Sequence, residues 1–330
     1  MISAFNLLFF FTLVLGLGLC ISSNSWFGAW VGLELNLMSF IPLISSSNNL
    51  YSSESSLKYF LIQALASIMI IFSISFTLMM VNFILFFSLS LLLKLGAAPF
   101  HFWFPQVMEG LNWLQVMILL TIQKIGPMIL LSYLMYDKYS ITMVFISSVL
   151  SAFIGAVGGM NQTFLRKIMA FSSINHMSWM FFAMIVSEIC WLIYFLIYCI
   201  LSIMLVMSFY LHQAYHFSHL INSGVPTISK MFSMMSLLSL GGLPPFLGFI
   251  PKWIVIQEMI KFKFFYLLII FLLMSLLTLY FYMRVGMTFL TLIFPFSSWS
   301  MKSYDSGFYM PMVLSVNFFG LFIPSIYMMM

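Results

Sequence analysis

The sequence has 330 residues, of which Lys, Arg, Asp and Glu make up only 6 % while 63 % are hydrophobic, and the mean hydropathy is +1.13. A soluble domain carries about 25 % charged residues, so this chain lacks the polar surface to cover a water-exposed core and its solvent must be lipid. At about 20 residues per span and about 10 per connection, the length predicts an all-α polytopic membrane protein of about eleven transmembrane helices, with no room for a soluble catalytic domain. The net charge of +5 comes from scattered cations with two small clusters, Arg166-Lys167 and Lys261-Phe262-Lys263. These read as topology signals at a membrane surface, and nucleic acid is not an expected partner. Cys20, Cys190 and Cys199 have no C-x-x-C spacing and read as packing residues.

In chain order, the start MISAFNLLFFFTLVLGLGLC has no basic leader, so no cleaved signal or import presequence is expected. Synthesis is therefore expected where the chain inserts, in a bacterium or an organelle with its own genome. Apolar runs place spans at 1–20, 25–45, 57–77, 80–108, 111–135, 140–160, 167–187, 190–212, 231–258, 264–285 and 307–328. The fourth and ninth are too long for one straight crossing. The fourth contains Pro99 and Pro105 and the ninth Pro244, Pro245 and Pro251, so both are predicted to be broken helices.

The two breaks share a pattern. Gly96-x-x-Pro99-Phe100-x4-Pro105 recurs 146 residues later as Gly242-x-x-Pro245-Phe246-x4-Pro251. Spans one to five and six to ten then form two sets, residues 1–135 and 140–285, with 286–330 a connecting segment and a C-terminal helix. Because five is odd, the second set enters the bilayer from the opposite side, which makes the repeat inverted, as in many secondary transporters. Lys58, Arg166, Lys167, Lys230, Arg284 and Lys302 fall on the N-terminal side and Lys138, Lys261 and Lys263 on the other. That excess predicts an N-terminus facing the cytoplasm or matrix and a C-terminus across the membrane.

Four charged residues lie inside apolar runs: Glu34, Lys94, Lys124 and Lys252. At the bilayer centre each costs about 2.5–3.5 kcal/mol on the insertion scale, about 10–14 kcal/mol together. Structural pairing would need balanced charges, whereas one carboxylate faces three ammonium groups. A hydrated proton path, in which each group can be charged or neutral, explains the imbalance better. Prolines support it: Pro99, Pro127 and Pro251 cannot donate to the carbonyls of Leu95, Gln123 and Leu247, so each lysine is expected beside backbone oxygens that water or polar side chains must satisfy.

His176, within Ser172-Ser173-Ile174-Asn175-His176, is a further relay candidate, with hydrogen-bonded packing as the alternative. Glu188 and Glu258 read as interface residues, and Lys58 as a snorkelling one. His212, His216 and His219, at i, i+4 and i+7, would share a helix face; an interfacial polar face is the expected reading, zinc ligation the alternative. No Walker loop, dinucleotide fingerprint, haem or iron–sulfur cysteine pattern or H-E-x-x-H occurs. The chain is not expected to use nucleotide or carry electrons itself, so the drive for proton movement would come from a partner or an ion gradient.

The motifs "SNSWFGAWVGLELNLMSFIPL" around Glu34, "LKLGAAPFHFWFPQVMEG" around Lys94, "QKIGP" at Lys124, "GGMNQTFLRKIMAFSSINHMSWM" through His176 and "LSLGGLPPFLGFIPKW" at Lys252 resemble the NADH dehydrogenase subunit 2 family of animal mitochondria. Its members are antiporter-like membrane subunits of respiratory complex I. The resemblance runs to about residue 290, and the Phe, Met, Ile and Ser bias is similar to that of an AT-rich insect mitochondrial genome.

The resemblance implies that Glu34 and Lys94 form a coupling pair, that Lys124 is a central lysine and that Lys252 is the lysine of the second broken helix. His176 fits the family's Ser-Ser-Ile-x-His stretch, although Ser178 stands where many members have glycine. Leu240 occupies the place of Lys94 in the second repeat, so only the first half carries the acid and base pair. The resemblance further implies an inner-membrane location with neighbouring antiporter-like and other membrane-arm subunits, and lipids, as partners. NADH, FMN, iron–sulfur clusters and ubiquinone are implied in partner subunits and no cofactor in this chain. A free-standing cation/proton antiporter and a structural spacer are the alternative functions.

Overall fold

The computed structural model describes residues 4–45, 49–77, 84–217, 219 and 227–290. Among these there are thirteen α-helices and no strand, only an isolated bridge between Phe164 and His216. The helices are α1 (Ala4–Ser22), α2 (Trp26–Ser45), α3 (Leu50–Thr77), α4 (Ile84–Leu95), α5 (Trp103–Gly110), α6 (Trp113–Leu120), α7 (Ile122–Tyr133), α8 (Lys138–Gly159), α9 (Leu165–Val186), α10 (Glu188–Leu211), α11 (Thr227–Gly241), α12 (Phe249–Lys261) and α13 (Phe265–Leu290).

Ten of the eleven expected spans correspond to these helices, with α4 and α5, α6 and α7, and α11 and α12 each making one span. The eleventh, at 307–328, and Lys302 lie outside the described residues. Among the described residues eight helical runs are long and apolar enough to cross a membrane, and the chain is a multi-pass membrane protein. The outward side chains agree: Phe5 and Phe11 on α1, Leu61 and Ile68 on α3, Ile189 and Leu196 on α10, and Ile269 and Leu276 on α13 are all exposed, as helices facing hydrocarbon require.

The chain divides into two compact units, Met1–Ser151 and Ala152–Met330. In the first, α1 lies directly on α2. A Cβ on Gly32 would stand 2.5 Å from the backbone nitrogen of Cys20, so only glycine permits that approach. The Gln115 side chain, near the start of α6, donates to Leu43 O at 2.7 Å and so satisfies an end carbonyl of α2. In the second, α9 is almost wholly buried and packs against α10, α12 and α13.

α3 begins seven residues before the expected span at 57. The polar stretch Tyr51-Ser52-Ser53-Glu54-Ser55-Ser56 stays helical with its hydroxyls satisfied inside the helix, Ser53 Oγ donating to Leu50 O at 2.8 Å and Ser56 Oγ to Ser53 O at 2.7 Å, while Asn49 O accepts Ser52 N and Ser53 N. Glu54 and Lys58 add an i,i+4 ion pair of 2.6 Å.

Both breaks are built the same way. Gly96 (φ +69°) and Gly242 (φ +76°) adopt the left-handed conformation that ends a helix. Around the first, Gly96 N donates to Leu93 O and Ala97 N to Leu92 O; around the second, Gly242 N donates to Ser239 O and Leu243 N to Leu238 O. These are matching Schellman closures. The span containing Pro127 is interrupted earlier than that proline, at Thr121 (φ −114°, ψ −76°), where Thr121 Oγ1 turns back to Met117 O at 2.7 Å. α7 continues through Pro127, losing only the bond to Gln123 O.

Candidate functional site

In the first unit α4 delivers Lys94 at its last turn and α7 delivers Lys124 at its first. Both are buried, 7 % and 3 % exposed, and both line one cavity of about 20 Å³ together with Asn36, Tyr59, Gln63 and Gln123. That volume suffices for about one water, and the lining offers it several polar partners. The lining is itself linked: Tyr59 Oη donates to Gln123 Oε1 at 3.2 Å, and Gln123 Nε2 donates to Asn36 Oδ1 at 3.1 Å. The Lys124 ammonium also stands 5.3 Å from the centre of the Phe104 ring, a cation–π position.

Glu34 is half-buried on α2, two residues before Asn36. Its Oε2 is buried and accepts no hydrogen bond. No direct ion pair joins Glu34 to Lys94. The backbone at the break is satisfied largely by protein: Trp103 Nε1 donates to Leu93 O at 3.1 Å and Gln63 Nε2 to Lys94 O at 3.3 Å.

In the second unit Lys252, 6 % exposed on the first turn of α12, folds back over the break. Its Nζ donates to Gly241 O at 2.8 Å, the terminal carbonyl of α11, and stands 6.0 Å from the Trp179 ring centre. The expectation that Pro251 leaves Leu247 O unpaired is corrected. Ile250 N donates to it at 3.2 Å, because the chain enters α12 through a turn that starts at Leu247. His176, on α9, meets Tyr194 of α10 through Nδ1 and Oη at 3.0 Å, and its ring lies 5.2 Å from that of Tyr198.

His212, His216 and His219 do not share a helix face. α10 ends at Leu211, His212 is its C-cap, and Gln213 (φ +48°) turns the chain out of the helix before His216 pairs with Phe164. No group of three metal-ligating side chains is assembled among the described residues. Glu188 opens α10 behind the N-cap Ser187, and Glu258 pairs with Lys261 at 2.6 Å, so both acids stand at helix ends.

The NADH:quinone oxidoreductase/Mrp antiporter transmembrane family matches residues 23–83 and 75–278. The chain is 47 % identical over 310 residues to NADH-ubiquinone oxidoreductase chain 2 of Anopheles gambiae, covering 90 % of this chain and 89 % of that one. It is also 47 % identical over 327 residues to the same-named protein of Aedes aegypti, covering 96 % and 95 %. The chain belongs to the NADH-ubiquinone oxidoreductase chain 2 family. Its fold is shared with a chain of respiratory complex I from Thermus thermophilus, with a TM-score of 0.83 at 21 % identity over 97 % of this chain and 78 % of that one. A chain of the Mrp complex from Dietzia sp. shares it as well, with a TM-score of 0.74 at 14 % identity over 89 % and 62 %.

For this chain 2 family member, sequence reasoning found the charged residues and missed the neutral ones between them. Asn36, Gln63 and Gln123 are amides within apolar runs, and Tyr59 is a phenol one turn before Gln63. Their spacing carried the signal: Asn36 is two residues from Glu34, and Gln123 adjoins Lys124. Only the packing of α2, α3, α4 and α7 turns four scattered polar residues into one lining.

Proposed function

We propose that this chain is a proton-translocating membrane-arm subunit of NADH-ubiquinone oxidoreductase, a multi-pass protein of the mitochondrial inner membrane with its N-terminus in the matrix. Electrons pass from NADH to ubiquinone in partner subunits, which hold FMN and the iron–sulfur clusters, and this chain carries protons on Glu34, Lys94, Lys124, His176 and Lys252. The observation that carries the reading is the shared polar cavity of Lys94 and Lys124.

The chemistry follows from the groups present. In this reading the negative charge of Glu34 on α2 helps hold a proton on Lys94. A change arriving from the redox subunits that weakens that influence releases the proton from Lys94 into the cavity. A single water held by Asn36, Gln123 and Tyr59 can receive it and pass it to Lys124; the amides orient the water, since they do not themselves take up protons near neutral pH. His176 and Lys252 then serve as the ionisable groups of the second unit.

The test is Lys94→Met in the assembled complex, reconstituted in vesicles, with protons pumped per NADH oxidised as the readout. The expected result is a loss of about a hundredfold in coupled pumping, the scale of removing one acid–base group. Unchanged pumping with intact assembly would overturn the role of Lys94. If the same held for Glu34→Gln and Lys124→Met, a spacer function would be left. Purification without flavin and iron–sulfur proteins would point to a free-standing antiporter instead.

A further inference from the structure

Among the described residues of the second unit, Asn175 Oδ1, Trp179 Nε1 and Tyr282 Oη are among the polar atoms buried without a hydrogen-bond partner. Their residues are 2 %, 1 % and 1 % exposed. Asn175 and Trp179 are i and i+4 on α9 and so share one face, and that face meets α13. Asn175 lies beside Thr278 and Trp179 beside Phe271, so the partners descend α13 as they ascend α9.

The amide of Asn175 has one orientation. Thr278 Oγ1 donates its proton to Ser275 O at 2.8 Å and can only accept from Asn175, which it does from Nδ2 at 3.4 Å. Oδ1 is thereby turned away from Thr278. Ser172 Oγ donates to Met169 O at 2.8 Å and stands outside hydrogen-bonding geometry with Tyr282. Buried polar groups of this kind are satisfied by ordered water when protein does not reach them. The set is complementary: Asn175 Oδ1 only accepts, Trp179 Nε1 only donates, and a tyrosine hydroxyl does both.

The same group sits between the two ionisable side chains of the unit. A Cβ on Gly241 would lie 3.4 Å from Tyr282 Cδ2, and Gly241 O is the acceptor of the Lys252 ammonium. On the other side Asn175 adjoins His176 on α9, and His176 Nδ1 lies 3.0 Å from Tyr194 Oη. We infer that Asn175, Trp179 and Tyr282 enclose a water position that carries protons between the His176–Tyr194 pair and Lys252, with the Tyr282 hydroxyl as the transferring group. This rests on the proton-carrying role proposed above. In each passage Tyr282 Oη takes a proton from water on one side and releases its own to the other, so the hydroxyl is restored and charge moves by one proton.

The experiment is Tyr282→Phe in the assembled complex in vesicles, which keeps the ring against Gly241 and removes only the hydroxyl. Lys252→Met runs beside it. Protons pumped per NADH should fall about tenfold in Tyr282→Phe, with assembly and NADH oxidation by the redox subunits retained. Full pumping in Tyr282→Phe but not in Lys252→Met would sink this inference and leave the proposed function standing; full pumping in both would remove Lys252 from the proposed path as well. If Tyr282→Phe does not assemble, a map of the unaltered complex decides. A water within hydrogen-bond distance of Asn175 Oδ1 and Tyr282 Oη supports the role, and protein partners on both atoms in a dry contact overturn it.

Discussion

The first broken helix puts its lysine ahead of the break, and the second puts it behind. Lys94 closes α4 two residues before Gly96, whereas Lys252 opens α12 ten residues after Gly242 and reaches back to the carbonyl of Gly241. The backbone device is the same in both, a left-handed glycine closing a Schellman turn. What differs is what the charge finds there. Lys94 faces a cavity shared with Lys124 and lined by amides, while Lys252 holds a terminal helix carbonyl, a favourable contact for a cation because helix C-termini carry partial negative charge. A duplicated helix break is thus a frame, and the chemistry depends on which half-helix bears the ionisable group.

Substituting the two glycines sharpens that contrast most. Alanine at either position costs about 1–2 kcal/mol from left-handed strain, so both variants should lose thermal stability in the purified complex. At Gly242 the new Cβ would lie 2.9 Å from Lys252 Cδ, forcing the ammonium off Gly241 O. At Gly96 it would meet Phe104 Cβ and Trp103 Cζ2, each at 3.1 Å, and no charge. Gly242→Ala should therefore reduce pumping about tenfold, a barrier change of about 1.4 kcal/mol, and Gly96→Ala by less than about twofold. Equal losses would show that the second lysine does not depend on the break.

A smaller effect is expected from Gln123→Leu, which removes both links of the Tyr59–Gln123–Asn36 chain in the first unit. Hydrogen bonds between membrane helices are worth about 0.6 kcal/mol each on average, so stability should fall by about 1 kcal/mol in denaturation of the complex. Proton transfer should slow a few-fold in vesicles, because the water loses its orienting groups. A variant as fast as the parent would mean that the lysines exchange protons without this lining.

The smallest effect belongs to Glu54→Gln, which breaks the ion pair with Lys58 at the exposed start of α3, where the two side chains are 61 % and 41 % exposed. Such pairs contribute little, and neither stability nor pumping should change measurably. A clear pumping defect would instead tie the extended start of α3 to the path.

It follows from the sequence alone that the chain spans a membrane many times, where the helices of ten expected spans fall, that the spans containing Pro99 and Pro245 are broken, and which charges lie inside apolar runs. Those are local properties: hydropathy follows from composition, and a proline or left-handed glycine constrains its own turn wherever it sits. The early start of α3, the interruption at Thr121, the turn at Gln213 that separates the histidines and the bond from Ile250 to Leu247 O were not visible, because each depends on a local hydrogen bond that competes with the apolar pattern.

The site divides along the same line. Residue type alone marked Glu34, Lys94, Lys124, His176 and Lys252, since burying charge or imidazole in lipid is costly enough to need a reason. Which groups share a cavity was decided by packing. Asn36, Tyr59, Gln63 and Gln123 converge only when three helices close on a fourth, and Lys252 finds its carbonyl 11 residues back only once α11 and α12 have parted. Hydrogen bonds act over about 3 Å in space and are indifferent to separation along the chain.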